Sequence, residues 1–290
     1  AASDLFTGPV SHTAACLPNP SISVQGMLTL PQFMKTKSST DADSFSDFWK
    51  GSSSVGGVID AAFGNAAGST PPKDSDDTLN VTYRFPFAQH IEDVQVPVLV
   101  TYPLPNTAGG ACTKPANGWP TIIFQHGITT DRTASLGFAN AMADVTAGCF
   151  ATVAMDLPTH GVDASTTDRN GTPERYAAFN GFNVAGYSVD PITPGNITTT
   201  PTPFAHALET FAEDADEGVA ATYAGLKERH NNLALSATQT PVAMSFVADA
   251  ESGNSGDFFI NLTNMQQTRD HIRQGVMDLL NLNASLENIG

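Results

Sequence analysis

Residues 119–127, Trp-Pro-Thr-Ile-Ile-Phe-Gln-His-Gly, join a continuous apolar run directly to a His-Gly pair. An apolar run of this length that ends at a glycine is typical of a strand buried on both faces of a central sheet. Residues 150–161, Phe-Ala-Thr-Val-Ala-Met-Asp-Leu-Pro-Thr-His-Gly, have the same arrangement further along the chain. The two segments therefore predict two buried strands of one sheet, each followed by a His-Gly turn.

The residues between these two strands have the spacing of a helix. Apolar side chains recur at roughly helical intervals from Leu136 to Val145. Asp131 or Thr133 can cap the start of this helix, and Gly148 can end it. A strand, a helix and a second strand in this order predict a right-handed parallel crossover.

Two apolar segments lie upstream of this unit. Leu79, Val81, Tyr83 and Phe85 alternate with polar residues, and residues 96–102 form a second apolar stretch after a short gap. Alternation over this length favours half-buried strands, so we predict that these two segments pair in an antiparallel manner.

The first part of the chain has a different composition. Residues 1–77 are rich in Ser, Pro, Gly and Asp, with short apolar islands, and residues 64–77 are typical of a turn-rich linker. We therefore predict an N-terminal extension over residues 1–77 that contains a strand or two. Residues 78–290 then form the main α/β domain.

Two further segments of that domain are informative. Residues 162–237 are long and irregular, with Pro-Thr repeats and one acidic stretch of helical character. A segment of this length inside an α/β domain is either a functional cover, that is, a lid, or a neutral insertion. Residues 268–282 predict an amphipathic helix that packs on the sheet through the stripe Ile272, Val276, Leu279 and Leu280.

Composition and charge exclude some partners. The 290 residues have a formal net charge of -16 and 41% hydrophobic content. This acidic balance disfavours nucleic acid and anionic membrane surfaces as partners. The longest apolar runs have the length of strands and are too short to span a membrane. The low content of charged residues favours an exported protein.

The three cysteines, Cys16, Cys112 and Cys149, allow at most one internal disulfide. Their spacing fits no zinc motif, so we expect no metal and no cofactor. If a pair is bridged, the positions before the two predicted strands favour Cys112 with Cys149. Three free thiols remain an equal alternative.

The first His-Gly turn can supply hydrogen-bond donors for catalysis. Acyl transfer places negative charge on a carbonyl oxygen, and backbone amides that point at this oxygen stabilise it. Gly127 allows a substrate to approach the backbone closely, and the amide of Ile128 is the preferred donor. His126 is the base-type residue nearest to this position, but we predict a structural role for its side chain.

The second turn contains Asp156, His160 and Gly161. We predict that Asp156 and His160 form hydrogen bonds within the turns and keep the loops rigid. A metal site on Asp156 and His160 is the alternative, although the sequence offers no third ligand at a suitable spacing.

Several stretches of the chain resemble the bacterial virulence-factor lipase family, a group of extracellular or surface lipases and lysophospholipases of the α/β-hydrolase superfamily. The most specific are residues 124–129, Phe-Gln-His-Gly-Ile-Thr, and residues 156–161, Asp-Leu-Pro-Thr-His-Gly. The other similar stretches are residues 25–31, 48–50, 96–100 and 268–274. With gaps at the Pro-Thr insertion, the resemblance extends from about Ser21 to Leu282.

The resemblance implies a mostly parallel α/β-hydrolase sheet with flanking helices, a serine nucleophile, an oxyanion hole at His126-Gly127 and a segment 162–237 that can act as a lid. It also implies that the nucleophile strand directly follows the helix at residues 268–282. The sequence contains no Gly-x-Ser-x-Gly elbow. We therefore expect an incomplete hydrolase domain that lacks the nucleophile strand and the Asp and His that follow it.

Three serines in glycine-containing stretches, Ser135, Ser188 and Ser255, are weak candidates for the nucleophile. His206, His230 and His271 have no recognisable partner, and we predict that they are surface residues.

Together these features predict part of a secreted or surface-exposed lipase or esterase that acts through a serine acyl-enzyme. The expected partners are a lipid or other ester substrate and the missing C-terminal half, with self-association through an exposed sheet edge. A non-catalytic binding or secretion module on a hydrolase scaffold is the alternative. A hydrolase of peptides or polyesters also remains open, because the fold alone does not define the substrate.

Overall fold

The computed structural model describes residues 11–13, 21–37, 41–64, 73–76, 78–161, 229–231, 233–235, 240–243 and 255–286. These residues form a mixed α/β structure. In chain order its elements are β1 (Ser11–Thr13), β2 (Ser21–Gln32), α1 (Ser53–Phe63), β3 (Glu92–Pro103), β4 (Thr121–Phe124), α2 (Leu136–Met142), β5 (Ala151–Met155), β6 (Leu233–Leu235), β7 (Pro241–Ala243) and α3 (Met265–Ser285). Most of the predicted insertion at 162–237 lies outside the described residues.

The main sheet has five strands in the order β1-β2-β3-β5-β4, and β6 and β7 form a separate hairpin. Only β4 and β5 are parallel, whereas the other three neighbouring pairs of the sheet are antiparallel. The described sheet is therefore mostly antiparallel, whereas the prediction was a mostly parallel sheet. Parallel neighbours need a crossover connection, and α2 provides this connection between β4 and β5.

The partner of β3 differs from the prediction. β3 pairs with β2 over twelve residues, from Ser21 opposite Pro103 to Gln32 opposite Glu92. The alternating segment around Tyr83 forms isolated bridges instead of a strand. β2 pairs with β3 along its whole length. It belongs to the segment that was predicted as an N-terminal extension, so this segment contributes a strand to the main sheet.

The two faces of the sheet are covered by different helices. Alternate residues of β3, Val96, Val98 and Val100, pack with Leu28, Leu30, Val153, Met155 and Leu282 in one buried cluster. Because Leu282 belongs to α3, this helix covers that face. On the other face α2 contacts β3 and β5, and its Asn140 donates a hydrogen bond of 2.9 Å to the hydroxyl of Ser21.

The two predicted core strands have different burial. All five residues of β5 are buried, as predicted. In β4, Thr121 is exposed and Ile122, Ile123 and Phe124 are only half-buried, so the prediction of burial on both faces is wrong for this strand. β4 is the last strand of the described sheet, so no described strand covers its outer edge.

The connection between β4 and β5 confirms the predicted parallel pair. A single 3-10 turn, Arg132–Ser135, precedes α2. Ser135 occupies the N-cap position instead of Asp131 or Thr133. The helix is shorter than predicted because it ends at Met142, well before Gly148.

α3 packs on the sheet through a face that the sequence did not indicate. Ile272, Val276 and Leu280 of the predicted apolar stripe are 50%, 53% and 58% exposed. The buried face is mostly polar and consists of Gln267, Thr268, Asp270, His271, Gln274, Gly275, Asp278 and Leu282. The prediction that the apolar stripe contacts the sheet is wrong, because hydrogen bonds from this polar face hold the helix in place.

A disulfide joins Cys112 and Cys149, which confirms the favoured pairing. Cys112 precedes β4 and Cys149 precedes β5. The bridge therefore ties together the chain segments that enter the two parallel strands.

Candidate active site

The two His-Gly turns follow neighbouring strands at the same edge of the sheet. In the β4–β5 register Phe124 lies opposite Ala154, so His126-Gly127 and Asp156-Leu157 leave the sheet side by side. The crevice at the carboxyl ends of parallel strands is the usual ligand position in α/β sheets. The structure thus brings together the two groups of residues that the sequence singled out.

The imidazole of His126 holds the two turns together. Its Nδ1 lies 2.7 Å from the carbonyl oxygen of Gly127, and the amide of Leu157 donates a bond of 3.0 Å to its Nε2. Because a carbonyl only accepts, Nδ1 carries the proton and the ring is neutral. Burial lowers the pKa of His126, although the carboxylate of Asp156 partly opposes this effect. Both ring nitrogens are occupied, so this side chain positions the loop.

The loop after His126 is open to solvent. Gly127 is exposed and a side chain there would meet open space, and Ile128 is 48% exposed. Thr129 adopts a positive φ of 70°, and the hydroxyl of Thr130 donates a bond of 2.9 Å to the carbonyl of Gly127. The loop therefore has a fixed shape, and the amide of Ile128 donates to no other residue in the described part of the chain.

Asp156 is an ion-pair centre. Its carboxylate accepts bonds of 2.6 Å from both the backbone amide and the guanidinium of Arg132. Burial alone would raise the pKa of Asp156, but the charge and hydrogen bonds of Arg132 hold it below its usual range. We predicted that Asp156 forms a hydrogen bond within its own turn. Instead, it forms an ion pair with Arg132, which lies in the loop after β4. Arg132 was not singled out from the sequence.

A second ion pair fixes the same turn to α3. Arg229 donates bonds of 2.6 Å to the backbone oxygen of Asp156 and to the carboxylate of Asp278. Gln274 donates to Asp278 at 2.7 Å and to the carbonyl of Pro31 in β2 at 2.9 Å. These buried polar contacts explain why α3 turns a polar face inward.

His160 and Gly161 are buried behind this pair. The Nδ1 of His160 lies 2.9 Å from the carbonyl of Pro158, and burial lowers the pKa of His160 to about 4. The amide of Gly161 donates to the hydroxyl of Ser255 at 3.2 Å, and that hydroxyl donates to the carbonyl of Thr130 at 2.8 Å. Ser255 therefore connects the two His-Gly turns.

Those of the other candidate residues that the structure describes do not assemble into a nucleophile and base. Ser135 is buried and donates to the carbonyl of Arg132 at 2.7 Å, whereas Ser188 lies outside the described residues. His230 and His271 are each 1% exposed, so the prediction that they are surface residues is wrong. His206 lies outside the described residues. Within the described parts, no group of three His, Cys, Asp or Glu side chains could hold a metal.

The sequence did contain a signal for the residues that were missed. Gln267, His271, Gln274 and Asp278 recur at intervals of three or four, which is a polar stripe on one face of α3. The prediction chose the more hydrophobic stripe as the buried face, because the apolar face of a helix usually packs on the core. Arg229 carries no comparable local signal.

No protein-family model, curated protein or solved structure matches the chain. Among the described helices, none combines the length and the hydrophobicity that a membrane crossing requires.

Proposed function

We propose that the chain carries the oxyanion-hole part of a serine hydrolase that acts on carboxylic esters of lipids. The observation that carries this proposal is the contrast within one loop. His126 is buried and fixed on both ring nitrogens, whereas Gly127 and Ile128, directly after it, are exposed. Backbone amides that are held rigidly and face open space can stabilise an oxyanion without reorganisation.

The sheet supports an α/β-hydrolase-like arrangement that is incomplete in the described part. The outer edge of β4 has unpaired backbone groups in this part of the structure, and its apolar residues are only half-buried. A further parallel strand at this edge would end beside Gly127 and Ile128. In α/β-hydrolases the nucleophile sits on such a strand, and the oxyanion hole combines its amide with one from an earlier strand-end loop.

The nucleophile in this proposal belongs to that additional strand. The sequence has no Gly-x-Ser-x-Gly elbow, and the hydroxyls of Ser135 and Ser255 are engaged in buried hydrogen bonds. The chain then contributes the oxyanion-hole strand, and a partner segment contributes the serine and its base. An open β4 edge also provides a surface for self-association when that segment is absent.

The disulfide supports the proposal that the protein is secreted or lies on the bacterial cell surface. Disulfides persist in oxidising compartments and are rare in the cytosol. The Cys112–Cys149 bridge thus agrees with an extracellular lipid or other ester as the substrate.

The test is labelling with a serine-reactive fluorophosphonate, applied to the isolated chain and to the protein in its natural length. Peptide mapping by mass spectrometry then locates the modified residue. We expect stoichiometric labelling of a serine outside these 290 residues and no labelling of the isolated chain. Hydrolysis of p-nitrophenyl esters of increasing acyl length would be measured on the same samples.

Two outcomes contradict the proposal. Labelling of Ser188 or any other serine of this chain would show that the site is not split. Absence of labelling and of esterase activity in both samples would reject hydrolase chemistry and favour the non-catalytic binding or secretion module.

A further inference from the structure

A second site lies beside the candidate active site, in a cavity of about 520 Å³. The first half of β3 and the last residues of β2 form one wall of the cavity. This part of β3 is not covered by β5, because β3 extends beyond the end of β5. The segment after β2, the turn after β5, the loop residues Arg229 and Asn231, and α3 provide the other residues. Among its lining residues are Lys37, Glu92, Asp93, Thr159 and His271.

Two residues of the cavity lining each have a buried polar atom without a hydrogen-bond partner in the described part of the chain. These atoms are the Nε2 of His271 and the hydroxyl of Thr159. His271 is 1% exposed and Thr159 is 6% exposed. Unsatisfied buried groups are uncommon in native proteins, and each one indicates a missing water, ion or ligand or another specific cause.

The hydrogen-bonding role of His271 is fixed by its other ring nitrogen. Nδ1 lies 3.0 Å from the carbonyl of Phe259, so it carries the proton and donates. Burial, followed by the charge of Lys37, lowers the pKa of His271 to about 3. The ring is neutral at physiological pH, and its Nε2 can only accept. Whatever fills this position must bring a donor.

Lys37 is a hydrogen-bond donor at this cavity, whereas His271 is an acceptor. Its ammonium is buried and donates to the carbonyl of Ser44 at 2.6 Å, and this is its only hydrogen bond or ion pair with a described residue. An ammonium has three donors, so two remain for a bound molecule. Whatever fills the cavity must also bring an acceptor.

Thr159 shows that the backbone is strained at this cavity. It has a positive φ of 63°, which is an outlier for a β-branched residue. Such strain persists where the surrounding structure enforces it, and it is often found at binding sites. Here it accompanies a buried hydroxyl that lines the cavity.

The combination of these three groups selects one ligand chemistry. A carboxylate could accept from Lys37, but at neutral pH it is ionised and offers no donor to His271. An amine could donate to His271, but Lys37 would repel it. A hydroxyl group both donates and accepts, and therefore satisfies both residues.

We propose that this cavity binds a small polyhydroxylated molecule through Lys37, Thr159 and His271. The site is built from side chains that take no part in the proposed oxyanion hole. It therefore stands whether or not the protein is a hydrolase.

The experiment is NMR of the full chain with ¹⁵N-labelled histidine, titrated with glycerol at neutral pH. We expect a saturable change in the Nε2 shift of His271 and no change at His126, whose Nε2 already accepts from Leu157. Thr159→Val should weaken glycerol binding about fivefold, the effect of one lost hydrogen bond. Thr159→Ser keeps the hydroxyl and should bind glycerol as the unmodified protein does. Lys37→Met tests the second contact in the same way.

The matched control is Thr152→Val. Thr152 also has a buried hydroxyl without a described partner, but it does not line the cavity, so this variant should bind glycerol as the unmodified protein does. A linear response without saturation, or equal affinity in Thr159→Val, would overturn the proposal. A His271 signal that is hydrogen-bonded before titration and stays unchanged would show that ordered water only fills the site. A saturable response to inorganic phosphate but not to glycerol would reject the hydroxyl assignment.

Discussion

The turn after β4 and the turn after β5 both contain a His-Gly pair, yet their surroundings are opposite. Gly127 in the first turn is exposed, whereas Gly161 in the second is buried. His126 is bonded on both ring nitrogens, while the Nε2 of His160 has no partner among the described residues. The first turn presents backbone to solvent, and the second is enclosed by loops and α3.

This difference shows that the same dipeptide serves two purposes. The turn after β5 forms a rigid support, because Arg132, Arg229 and Ser255 bind it from three directions. The turn after β4 rests on that support through His126. The turn after β4 is thus exposed but held in place by the turn after β5. Backbone donors that stabilise an oxyanion need such a fixed orientation.

The strongest way to break the support is Asp156→Ala. This change removes the buried carboxylate that accepts from both the amide and the guanidinium of Arg132, and breaking a buried ion pair by removing one partner costs about 3–5 kcal/mol. We expect a loss of stability of this size in urea unfolding monitored by circular dichroism.

Lys35→Met provides the control, because it breaks the Lys35–Asp41 pair, in which both side chains are 42% exposed. Its effect should be far smaller, since exposed pairs contribute little. The double variant Arg132→Met with Asp156→Leu should recover much of the lost stability. Equal effects of Asp156→Ala and Lys35→Met would show that the buried pair does not support the turn.

Gly256→Ala tests how closely the second turn is enclosed. A Cβ at Gly256, where φ is +82°, would lie 2.1 Å from the Nε2 of His160. Left-handed strain of about 1–2 kcal/mol and overpacking of about 1–3 kcal/mol together predict a loss of about 3 kcal/mol.

Gly109→Ala is the matched change, because Gly109 has a φ of +91° but nothing within 4 Å of the added Cβ. It should show the strain without the clash, a loss of about 1–2 kcal/mol. Thermal unfolding of both variants measures the difference. Identical losses would mean that His160 moves aside freely.

The sequence was sufficient for the parallel unit because local signals determine it, and it favoured the Cys112–Cys149 pair over the other pairings while leaving three free thiols as an equal alternative. The apolar runs, the intervening helix and the positions of Cys112 and Cys149 all lie within one short segment. The partner of β3 was missed because β2 is distant in sequence and its register is not encoded locally. The helix α1 was also missed, although Ser52 caps it and Gly64 ends it.

The candidate site was predictable only where backbone geometry carries it. His126, Gly127 and Asp156 follow directly from strand ends. Arg229 and Asp278 form a pair between segments far apart in the chain, so no local pattern marks them. In α3 the tertiary hydrogen bonds overrode the more hydrophobic stripe.

Acid should weaken the enclosed region through its neutral histidines. In the folded protein the pKa of His160 is about 4 and that of His271 about 3, compared with an ordinary value of 6.5. Below pH 6.5 the unfolded chain therefore binds protons that the folded state does not. Their contribution to stability is complete above pH 6.5 and falls by about 1.4 kcal/mol per pH unit for each histidine, which is a loss of about 2 kcal/mol per histidine at pH 5.

Urea unfolding at a series of pH values between 7 and 4 measures this slope, below the range in which Lys37, with its pKa lowered to about 8 by burial, titrates in the folded protein. His271→Gln retains a donor for the carbonyl of Phe259 but cannot titrate. In this variant the slope of the free energy of unfolding against pH should be smaller by about 1.4 kcal/mol per pH unit. An unchanged slope would show that His271 takes up a proton in the folded state.

Gly127→Ala should have the smallest effect on stability and the most informative one on function. An added Cβ at Gly127 meets no atom within 4 Å, so the free energy of unfolding should change by no more than about 0.5 kcal/mol. The same methyl group would occupy the open space in front of the loop, where a substrate carbonyl would approach. In the protein of natural length, kcat/KM for ester hydrolysis should fall about 10²-fold or more, the effect of losing one oxyanion donor. Gly57→Ala, at an exposed glycine of α1 whose added Cβ also meets no atom within 4 Å, should leave kcat/KM unchanged. Full activity in Gly127→Ala would place the reacting carbonyl elsewhere, and the contrast between the two His-Gly turns would then be one of solvent exposure alone.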